Sequence, residues 1–475
     1  MRNLFHSIAR RVSAFLAGPA GAKEVFIVAL PLIISSLSWT VMTFVDRMML
    51  RWVSGDAMSA AFQGNVVWFS FLCLPLGICS YANTFVSQYH GDGQFQKIGS
   101  SVWQAIWLAA LFIPLIALGV PLAPVIFAWA GHGPTIAPME TIYFQTLCWG
   151  SGGMLISQSA SAFFSGRGQT KVVMWVDCFF ALVNLGLDYV WIFGYYGFPE
   201  MGIAGAGYAT AVSLWLKALT YLALMLRKTH REKFGTANWR WDRSLFGRMM
   251  KFGVPSGLQM FLDVVGFTIF ILLLARLGSV EAEASSMAFS ISSFSFMPIW
   301  GLGLTAGILV GQRLGENRAD LAARSAWTSL IIGWGYMFLI SLFYWFVPEL
   351  FLSGFFAATT ADGSTAGAAD SRQLAATLLQ FVAAYNLFDA TMMIMANAIK
   401  GAGDTRFVMW VSLLMATCLA AISYLVVEKF QWGIYACWGL ITGWVCLLGI
   451  VFLCRFVGGK WKTMRVIEMQ HGTVE

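Results

Sequence analysis

The stretch Gly166-Arg-Gly-Gln-Thr-Lys-Val-Val-Met-Trp175 decides the fold, because a second copy of it occurs later in the chain. Gly401-Ala-Gly-Asp-Thr-Arg-Phe-Val-Met-Trp410 has the same two glycines, the same threonine and the same Val-Met-Trp, in the same register. In each copy a short glycine turn precedes an apolar run. The agreement predicts an internal repeat in which the same turn joins two helices.

The composition around these two copies is typical of a polytopic helical membrane protein. Of the 475 residues, 58% are hydrophobic and only 11% are charged, whereas about a quarter of a soluble domain is charged. Apolar stretches of about 20 residues alternate with short polar breaks. We therefore predict an all-α fold of twelve transmembrane helices, near 25–50, 62–88, 103–129, 141–164, 171–195, 203–226, 252–277, 285–311, 324–348, 374–399, 407–427 and 433–456.

The repeat extends upstream in a second register. The shift that places Pro31 on Pro255 also places, without a gap, Gly77 on Gly301, Ala82 on Ala306, Gln88 on Gln312 and Gly91 on Gly315. The shift that relates Gly166 to Gly401 is slightly longer, and the small, polar run Ala357–Asp370 explains the difference as an external loop insertion. The pattern predicts two pseudo-symmetric six-helix lobes related by an axis along the membrane normal, an architecture typical of alternating-access transporters.

The basic residues predict the orientation in the membrane. With the amino terminus inside, most of the 30 Lys and Arg residues face the cytoplasm. We therefore expect both termini in the cytoplasm and the protein itself in the inner membrane. The expected segments are a cytoplasmic tail 1–24, an N-lobe 25–226, a basic linker 227–251, a C-lobe 252–456 and a cytoplasmic tail 457–475.

Three polar residues in the first lobe are candidates for an ion-coupling site. Asn184 and Asp188 lie four residues apart in an apolar run, so a helix places both on one face. A carboxylate at membrane depth costs roughly 2.5–3.5 kcal/mol on insertion scales. Asp46 falls in the same outer half of this lobe. In the repeat, Asp46 corresponds to Phe270 and Asp188 to Ser423, an asymmetry that favours a function over a role in the scaffold.

The second lobe has a different candidate set. Asp263, Tyr385 and Asp389 are expected near the midplane, with Tyr385 and Asp389 one turn apart and Gln259 one turn from Asp263. Carboxylates with amide and hydroxyl groups could bind either H⁺ or Na⁺. For Lys217, which also lies within a span, we expect the side chain to reach towards the membrane interface rather than to pair with an acid.

Other classes of site are not indicated. The eight cysteines lie in apolar runs without metal-binding spacing, and the five histidines are mostly terminal or in loops. We therefore expect no enzyme activity, no cofactor and no metal beyond a coupled Na⁺. The Gly166–Thr170 stretch lacks the pattern of a phosphate-binding loop and is interpreted as a tight turn.

These motifs together resemble the MATE (multidrug and toxic compound extrusion) family of cation-coupled antiporters, over residues 24–456. The resemblance rests on Pro31 with Asp46, Gln88-Tyr-His-Gly91, Asn184-Leu-Gly-Leu-Asp188-Tyr, Pro255-Ser-Gly-Leu258 with Asp263, Gln312 with Gly315, and Lys400-Gly-Ala-Gly-Asp-Thr405. It implies export of amphipathic, often cationic, compounds against H⁺ or Na⁺. The ion site of the family maps onto Asp46, Asn184 and Asp188, and the second acidic site of its bacterial branch maps onto Asp263, Tyr385 and Asp389. That branch usually has Glu at the position of Asp263.

The expectation is therefore a multidrug antiporter that exchanges small organic compounds for a cation by alternating access. It would work in the lipid bilayer, as a monomer and without nucleic acid. The alternative is a flippase of the same superfamily for lipid-linked oligosaccharides or lipids. An anionic headgroup would favour intramembrane Lys or Arg, and here four acids accompany Lys217. A transferase would need a His or Cys centre, and a channel would need a filter loop.

Overall fold

A computed structural model describes residues 16–130, 133, 135–359 and 368–468. Over these residues the chain consists of helices, turns and short irregular segments, without β-strands. Parts of three predicted segments lie outside the described residues: 1–15 of the first tail, 360–367 of the Ala357–Asp370 insertion and 469–475 of the last tail. The described ends of that insertion, 357–359 and 368–370, are helical.

The described residues of the first half of the chain form nine α-helices. They are α1 (Ala22–Val53), α2 (Gly55–Ser80), α3 (Ala82–Gly91), α4 (Phe95–Ala117), α5 (Gly119–Ala130), α6 (Ile136–Ser165), α7 (Thr170–Phe193), α8 (Gly202–Met225) and α9 (Lys228–Phe234). The second half forms seven: α10 (Arg243–Leu274), α11 (Ser279–Gly315), α12 (Ala319–Phe346), α13 (Pro348–Thr359), α14 (Ala368–Ala402), α15 (Thr405–Tyr424) and α16 (Ile434–Val457).

Among the described residues, eleven helices are long and apolar enough to cross a membrane, so the predicted polytopic all-α fold is confirmed and the count of twelve is approximate. The helix absent from the eleven is α6, at the predicted span 141–164. It has 30 residues, but glycine, serine, threonine and glutamine replace larger apolar residues along it. Many of these residues are buried. The surrounding protein, rather than lipid, therefore covers much of α6.

The two copies of the opening stretch form equivalent turns. Gly168 lies between α6 and α7 with a φ of 75°, and Gly403 lies between α14 and α15 with a φ of 110°. A positive φ is open to glycine at little steric cost, which explains the shared glycine. The shared prolines are equivalent as well, since Pro31 lies inside α1 and Pro255 inside α10.

The glycines shared by the two repeats make reciprocal close contacts. A methyl group on Gly77 would lie 2.8 Å from the Cα atom of Gly257, and one on Gly301 would lie 3.1 Å from the backbone nitrogen of Ile33. The same shift that pairs Gly77 with Gly301 also pairs Ile33 with Gly257. The second span of each repeat therefore packs on the first span of the other.

Reciprocal contacts of the same kind occur at the ends of α3 and α11. A methyl group on Gly91 would lie 2.0 Å from the Gln312 carbonyl oxygen, and one on Gly315 would lie 2.3 Å from the Gln88 carbonyl oxygen. These four residues are also pairs in the repeat. Glycine is required here because the backbones approach so closely that no Cβ atom fits.

The described chain divides into two compact units that interleave in sequence. The N unit comprises residues 34–261, 311–317 and 465–468, and the C unit comprises residues 16–33, 262–310 and 318–464. Each has its own apolar core, which includes Trp68, Phe127 and Phe144 in the N unit and Phe270, Tyr344 and Trp438 in the C unit. The lobe and linker boundaries expected from the sequence stay a prediction.

The contact of Gly91 with Gln312 predicts a stability effect. The substitution Gly91→Ala should destabilise the protein by about 1–3 kcal/mol, because an overpacked backbone contact forces neighbouring groups to move. The matched control is Gly335→Ala in α12, where an added methyl group meets no atom within 4 Å. We expect thermal unfolding in detergent to show a lower midpoint for Gly91→Ala only. Equal midpoints for the two variants would contradict the packing argument.

Candidate functional site

The first set of candidate residues lies on two helices of the N unit, and a polar neighbour lies on a third. Asp46 is on α1, Asn184 and Asp188 are on α7, and Thr210 is on α8. Asn184 and Asp188 are completely buried, and Asp46 is 4% exposed. The i, i+4 spacing on α7 places both of its polar side chains on one face. The structure thus brings together the three residues that the sequence identifies as the first candidate site.

Direct hydrogen bonds connect this cluster. The carboxyl groups of Asp46 and Asp188 lie close enough to interact with each other. With its amide oriented to satisfy both neighbours, Asn184 donates from Nδ2 to Asp188 Oδ2 at 3.1 Å, and its Oδ1 accepts from the Thr210 backbone N–H at 3.2 Å. Two buried carboxyl groups with an amide beside them can bind a cation, either H⁺ or Na⁺.

Two further side chains around this pair are not among the candidates named from the sequence. The Tyr143 side chain, from α6, interacts electrostatically with both Asp46 and Asp188. Arg47 interacts with Asp46 and with Tyr143, and its guanidinium lies 5.0 Å from the centre of the Phe62 ring. The adjacency of Arg47 to Asp46 is a visible signal in the sequence. For Tyr143 there is none, since only the packing of α6 brings it to this place.

A second polar cluster lies on the same three helices. Lys217 Nζ is 3.5 Å from Asp177 Oδ1, the Tyr221 hydroxyl donates to the same Oδ1 at 2.8 Å, and the Ser35 hydroxyl donates to Asp177 Oδ2. The expectation that Lys217 reaches towards the interface without an acidic partner is therefore wrong. Asp177 stabilises the ammonium within the span, because an opposite charge compensates for the loss of hydration.

The C unit contains Asp263, Tyr385 and Asp389 of the second candidate set, whereas Gln259 belongs to the N unit. Tyr385 and Asp389, one turn apart on α14, interact electrostatically, and the hydroxyl groups of Tyr385 and Ser292 share a hydrogen bond. Tyr344, from α12, interacts with Tyr385 and its hydroxyl donates to the Ile291 carbonyl at 3.3 Å. The structure therefore places Tyr385 and Asp389 in one polar cluster on α11, α12 and α14.

Asp263 has a basic partner that the sequence pattern does not predict. Its carboxylate, on α10, interacts electrostatically with the ammonium group of Lys400 on α14. Lys400 is one of the residues on which the family resemblance rests, and it directly follows the predicted span 374–399. Gln259 lies one turn before Asp263 on α10 and is partly buried.

The Gly166–Thr170 segment is a turn, as the sequence predicts. The Arg167 guanidinium packs against the rings of Phe163 and Phe234, 3.7 and 4.3 Å from their centres, and its Nε donates to the Phe163 carbonyl at 2.6 Å. Burial lowers the pKa of Arg167 to about 10, so that the side chain stays charged at neutral pH. Gln312 Nε2 donates to the Gly166 carbonyl at 2.7 Å. These contacts hold the turn in place.

Within the described part of the chain, no group of three or more His, Cys, Asp or Glu side chains is arranged to hold a metal ion. The ionisable groups inside the spans instead occur in small clusters with hydroxyl and amide partners. Acids that are buried in apolar spans and paired in this way are typical of transport proteins.

A sequence model of the MatE family matches residues 31–190 and 255–425, which is more than half of the chain. The chain belongs to the MatE family. The two matched segments correspond to the two repeats, and the resemblance inferred from the motifs is confirmed. Members of this family are transporters, so the protein is a multi-pass membrane transporter with small-molecule substrates and a lipid bilayer around it.

Solved structures share the fold of this MatE protein. One is a MOP superfamily transporter from Pyrococcus furiosus, for which the reversed polarity of the binding pocket suggests a different function. Its TM-score is 0.83 at 15% sequence identity, and the match covers 95% of this chain and 98% of the other chain. The eukaryotic MATE transporter AtDTX14 has a TM-score of 0.81 at 19% identity, covering 93% and 96%. An outward-facing multidrug resistance MATE transporter has a TM-score of 0.80 at 15% identity, covering 92% and 96%.

The amide of Asn184 gives a prediction that does not depend on transport. Asn184→Ala should lower the stability by about 1–3 kcal/mol, because it removes a buried donor to Asp188. The control is Asn238→Ala, whose exposed amide donates to Ser100 Oγ at 3.3 Å and should change stability by less than about 0.5 kcal/mol. Denaturant unfolding in detergent measures both. A neutral effect of Asn184→Ala would mean that its hydrogen bonds do not stabilise the site.

Proposed function

We propose that this MatE-family protein is a multidrug efflux antiporter, which exports amphipathic, often cationic, organic compounds in exchange for H⁺ or Na⁺ by alternating access. The observation that carries the proposal is the pair of buried carboxyl groups of Asp46 and Asp188, which interact with each other. Such a pair changes its charge when one cation binds or leaves. Asn184 orients the pair by donating to Asp188.

The energy required is modest. One elementary charge that moves through 100 mV supplies about 2.3 kcal/mol, which corresponds to roughly a fifty-fold concentration ratio of the exported compound. Cation binding at Asp46, Asn184 and Asp188 would stabilise one conformation of the transporter. Binding of the organic compound would stabilise the other and favour release of the cation.

The cluster around Asp389 in the C unit is proposed to bind the organic compound or a second cation, with Tyr385 and Asp263 as further contacts. Gln259, one turn before Asp263, stays a sequence-based prediction for the same role. Asp389 is partly buried, and Tyr385 is 8% exposed. An acid beside aromatic rings attracts an organic cation through its charge and through the ring faces. The Asp263 carboxylate interacts with Lys400, so we assign the larger share of cation attraction to Asp389.

The flippase alternative is less well supported. A lipid-linked oligosaccharide or lipid with an anionic headgroup would favour cationic side chains that are available to it. Lys217 lies beside Asp177 and Lys400 interacts with Asp263, so both lysines already have acidic partners. We further propose a monomer without catalytic activity, located in the inner membrane with both termini in the cytoplasm.

The first test of this proposal is Asp188→Asn. This variant keeps the shape of the side chain but removes one of the two groups that can bind a cation, so ion-driven efflux should fall to the background of empty vesicles. The measurement is efflux of a fluorescent organic cation from reconstituted vesicles, with H⁺ and Na⁺ gradients applied separately. The control is Asp56→Asn, an exposed acid in the first turn of α2. Intact efflux at normal membrane abundance would disprove the coupling role of Asp188.

The second test is Asp389→Ala. Loss of this carboxylate should reduce transport of cationic compounds by about tenfold or more, because an attraction of about 1.4 kcal/mol changes the binding constant by a factor of ten. Transport of neutral compounds should fall less. Initial efflux rates for a matched cationic and neutral pair measure the difference. Asp370→Ala, an exposed acid on the same helix, serves as the control. An equal loss for both compounds would show that Asp389 has a structural role.

A further inference from the structure

The cluster of Ser35, Asp177, Lys217 and Tyr221, here called the lower tier, has no role in the proposal above. It is in register with the coupling residues, here called the upper tier. Along α7, Asn184 and Asp188 follow Asp177 by seven and eleven residues. These separations are close to two and three helical turns, so the three side chains lie on one face of α7.

The neighbouring helices repeat this register. Along α8, Lys217 and Tyr221 follow Thr210 by seven and eleven residues, and along α1, Asp46 follows Ser35 by eleven. The same faces of α1, α7 and α8 therefore carry both tiers. Seven residues of helix rise correspond to about 10 Å between them. With the orientation predicted from the loop charges, the lower tier is the one nearer the cytoplasm.

The two tiers differ in exposure. Asn184 and Asp188 are completely buried and Asp46 is 4% exposed, whereas the side chains of Asp177 and Lys217 are each 18% exposed. The side chains of the upper tier are thus almost completely covered by protein, whereas the charged side chains of the lower tier are partly exposed at the protein surface. A proton that enters or leaves from the cytoplasmic side would meet the lower tier first.

Asp177 is surrounded by groups that can exchange protons. Its neighbours are the Lys217 ammonium and the Tyr221 hydroxyl from α8, and the Ser35 hydroxyl from α1. Cys178, on its own helix, interacts with Tyr221, and the Trp39 ring centre lies 6.0 Å from Lys217 Nζ. The Lys217 ammonium is partly exposed, so it can stay solvated while the carboxylate carries a proton.

The second repeat lacks the lower tier, as it lacks the coupling carboxylates. In the register that places Gly166 on Gly401, Asp177 corresponds to Ser412. In the register that matches Gly202-Ile203 with Gly433-Ile434, Lys217 corresponds to Leu448 and Tyr221 to Phe452. Both tiers therefore occur in one lobe only. A pair that only held helices together would be equally useful in both lobes.

We propose that the lower tier is a proton-exchange station, through which protons pass between the Asp46–Asp188 pair and the cytoplasm. This inference rests on the proposed function and assigns H⁺ as the ion that passes. A proton that leaves the upper tier binds to the Asp177 carboxylate, whose charge changes from −1 to 0, while Lys217 remains an ammonium. The proton then moves to water on the cytoplasmic side, and the ion pair forms again. Transfer between the tiers takes place through water in the conformation that is open to the cytoplasm, since about 10 Å exceeds one hydrogen bond.

The test compares variants that separate a proton-exchange role from a structural one. Asp177→Asn removes the proton acceptor, and Asp177→Glu retains one. Asp177→Asn/Lys217→Met removes both charges, so that no unpaired ammonium remains to disturb folding. All are reconstituted beside the wild type, Asp188→Asn and the control Asp56→Asn. Initial efflux of a fluorescent organic cation is followed under an H⁺ gradient and, separately, under a Na⁺ gradient, and binding of the compound is measured at fixed pH.

We expect Asp177→Asn and the double variant to lower the H⁺-driven rate by at least about tenfold, because positioned proton transfer typically contributes more than that. Asp177→Glu should retain at least half of the rate, and binding should be unchanged in all variants of Asp177. Wild-type rates in the double variant would show that the ion pair is only structural and would overturn the inference.

The controls separate this inference from the proposed function. If Asp188→Asn abolishes H⁺-driven efflux while every Asp177 variant transports normally, the station is refuted and the antiporter is retained. If only a Na⁺ gradient drives the wild type, the station is likewise refuted. If neither gradient drives efflux in the wild type, both proposals fail.

Discussion

The burial of two carboxyl groups next to each other, on Asp46 of α1 and Asp188 of α7, is the constraint on which the rest of the N unit depends. Both side chains are almost fully buried. Two ionised carboxylates would repel each other in surroundings of such low polarity. The Asn184 amide, which donates to Asp188, and the Arg47 guanidinium, which interacts with Asp46, therefore offset part of this cost.

A second constraint is the close approach of helix backbones at the glycines that the two repeats share. Gly91 and Gly315 each face a carbonyl oxygen of the other repeat, so these contacts leave no room for a side chain. Small residues at helix contacts allow van der Waals packing to replace the hydrophobic effect, which is absent between helices in lipid. The repeat thus extends from the sequence to the contacts themselves, and the polar residues that break the symmetry stand out against it.

Much of the fold could be predicted because its signals are local or periodic. Span lengths follow from apolar runs, and the turns at Gly168 and Gly403 follow from residues that tolerate positive φ. The grouping of Asp46 with Asn184 and Asp188 followed from depth and topology. Partners across helices could not be predicted in this way. Lys217 was expected to extend towards the interface, but Asp177 lies beside it. The interaction of Asp263 with Lys400 likewise depends on how α10 and α14 are packed.

The interleaving of the two units has a consequence for how the protein is made. Residues 311–317 belong to the N unit, where Gln312 meets Gly91 and Gly315 meets Gln88. The ribosome synthesises this segment only after α10 and most of α11. During biogenesis the first six predicted spans therefore enter the bilayer before these backbone contacts can form. Final assembly of the N unit is consequently a late event, which needs the first two spans of the second repeat and then residues 465–468, which follow the last predicted span.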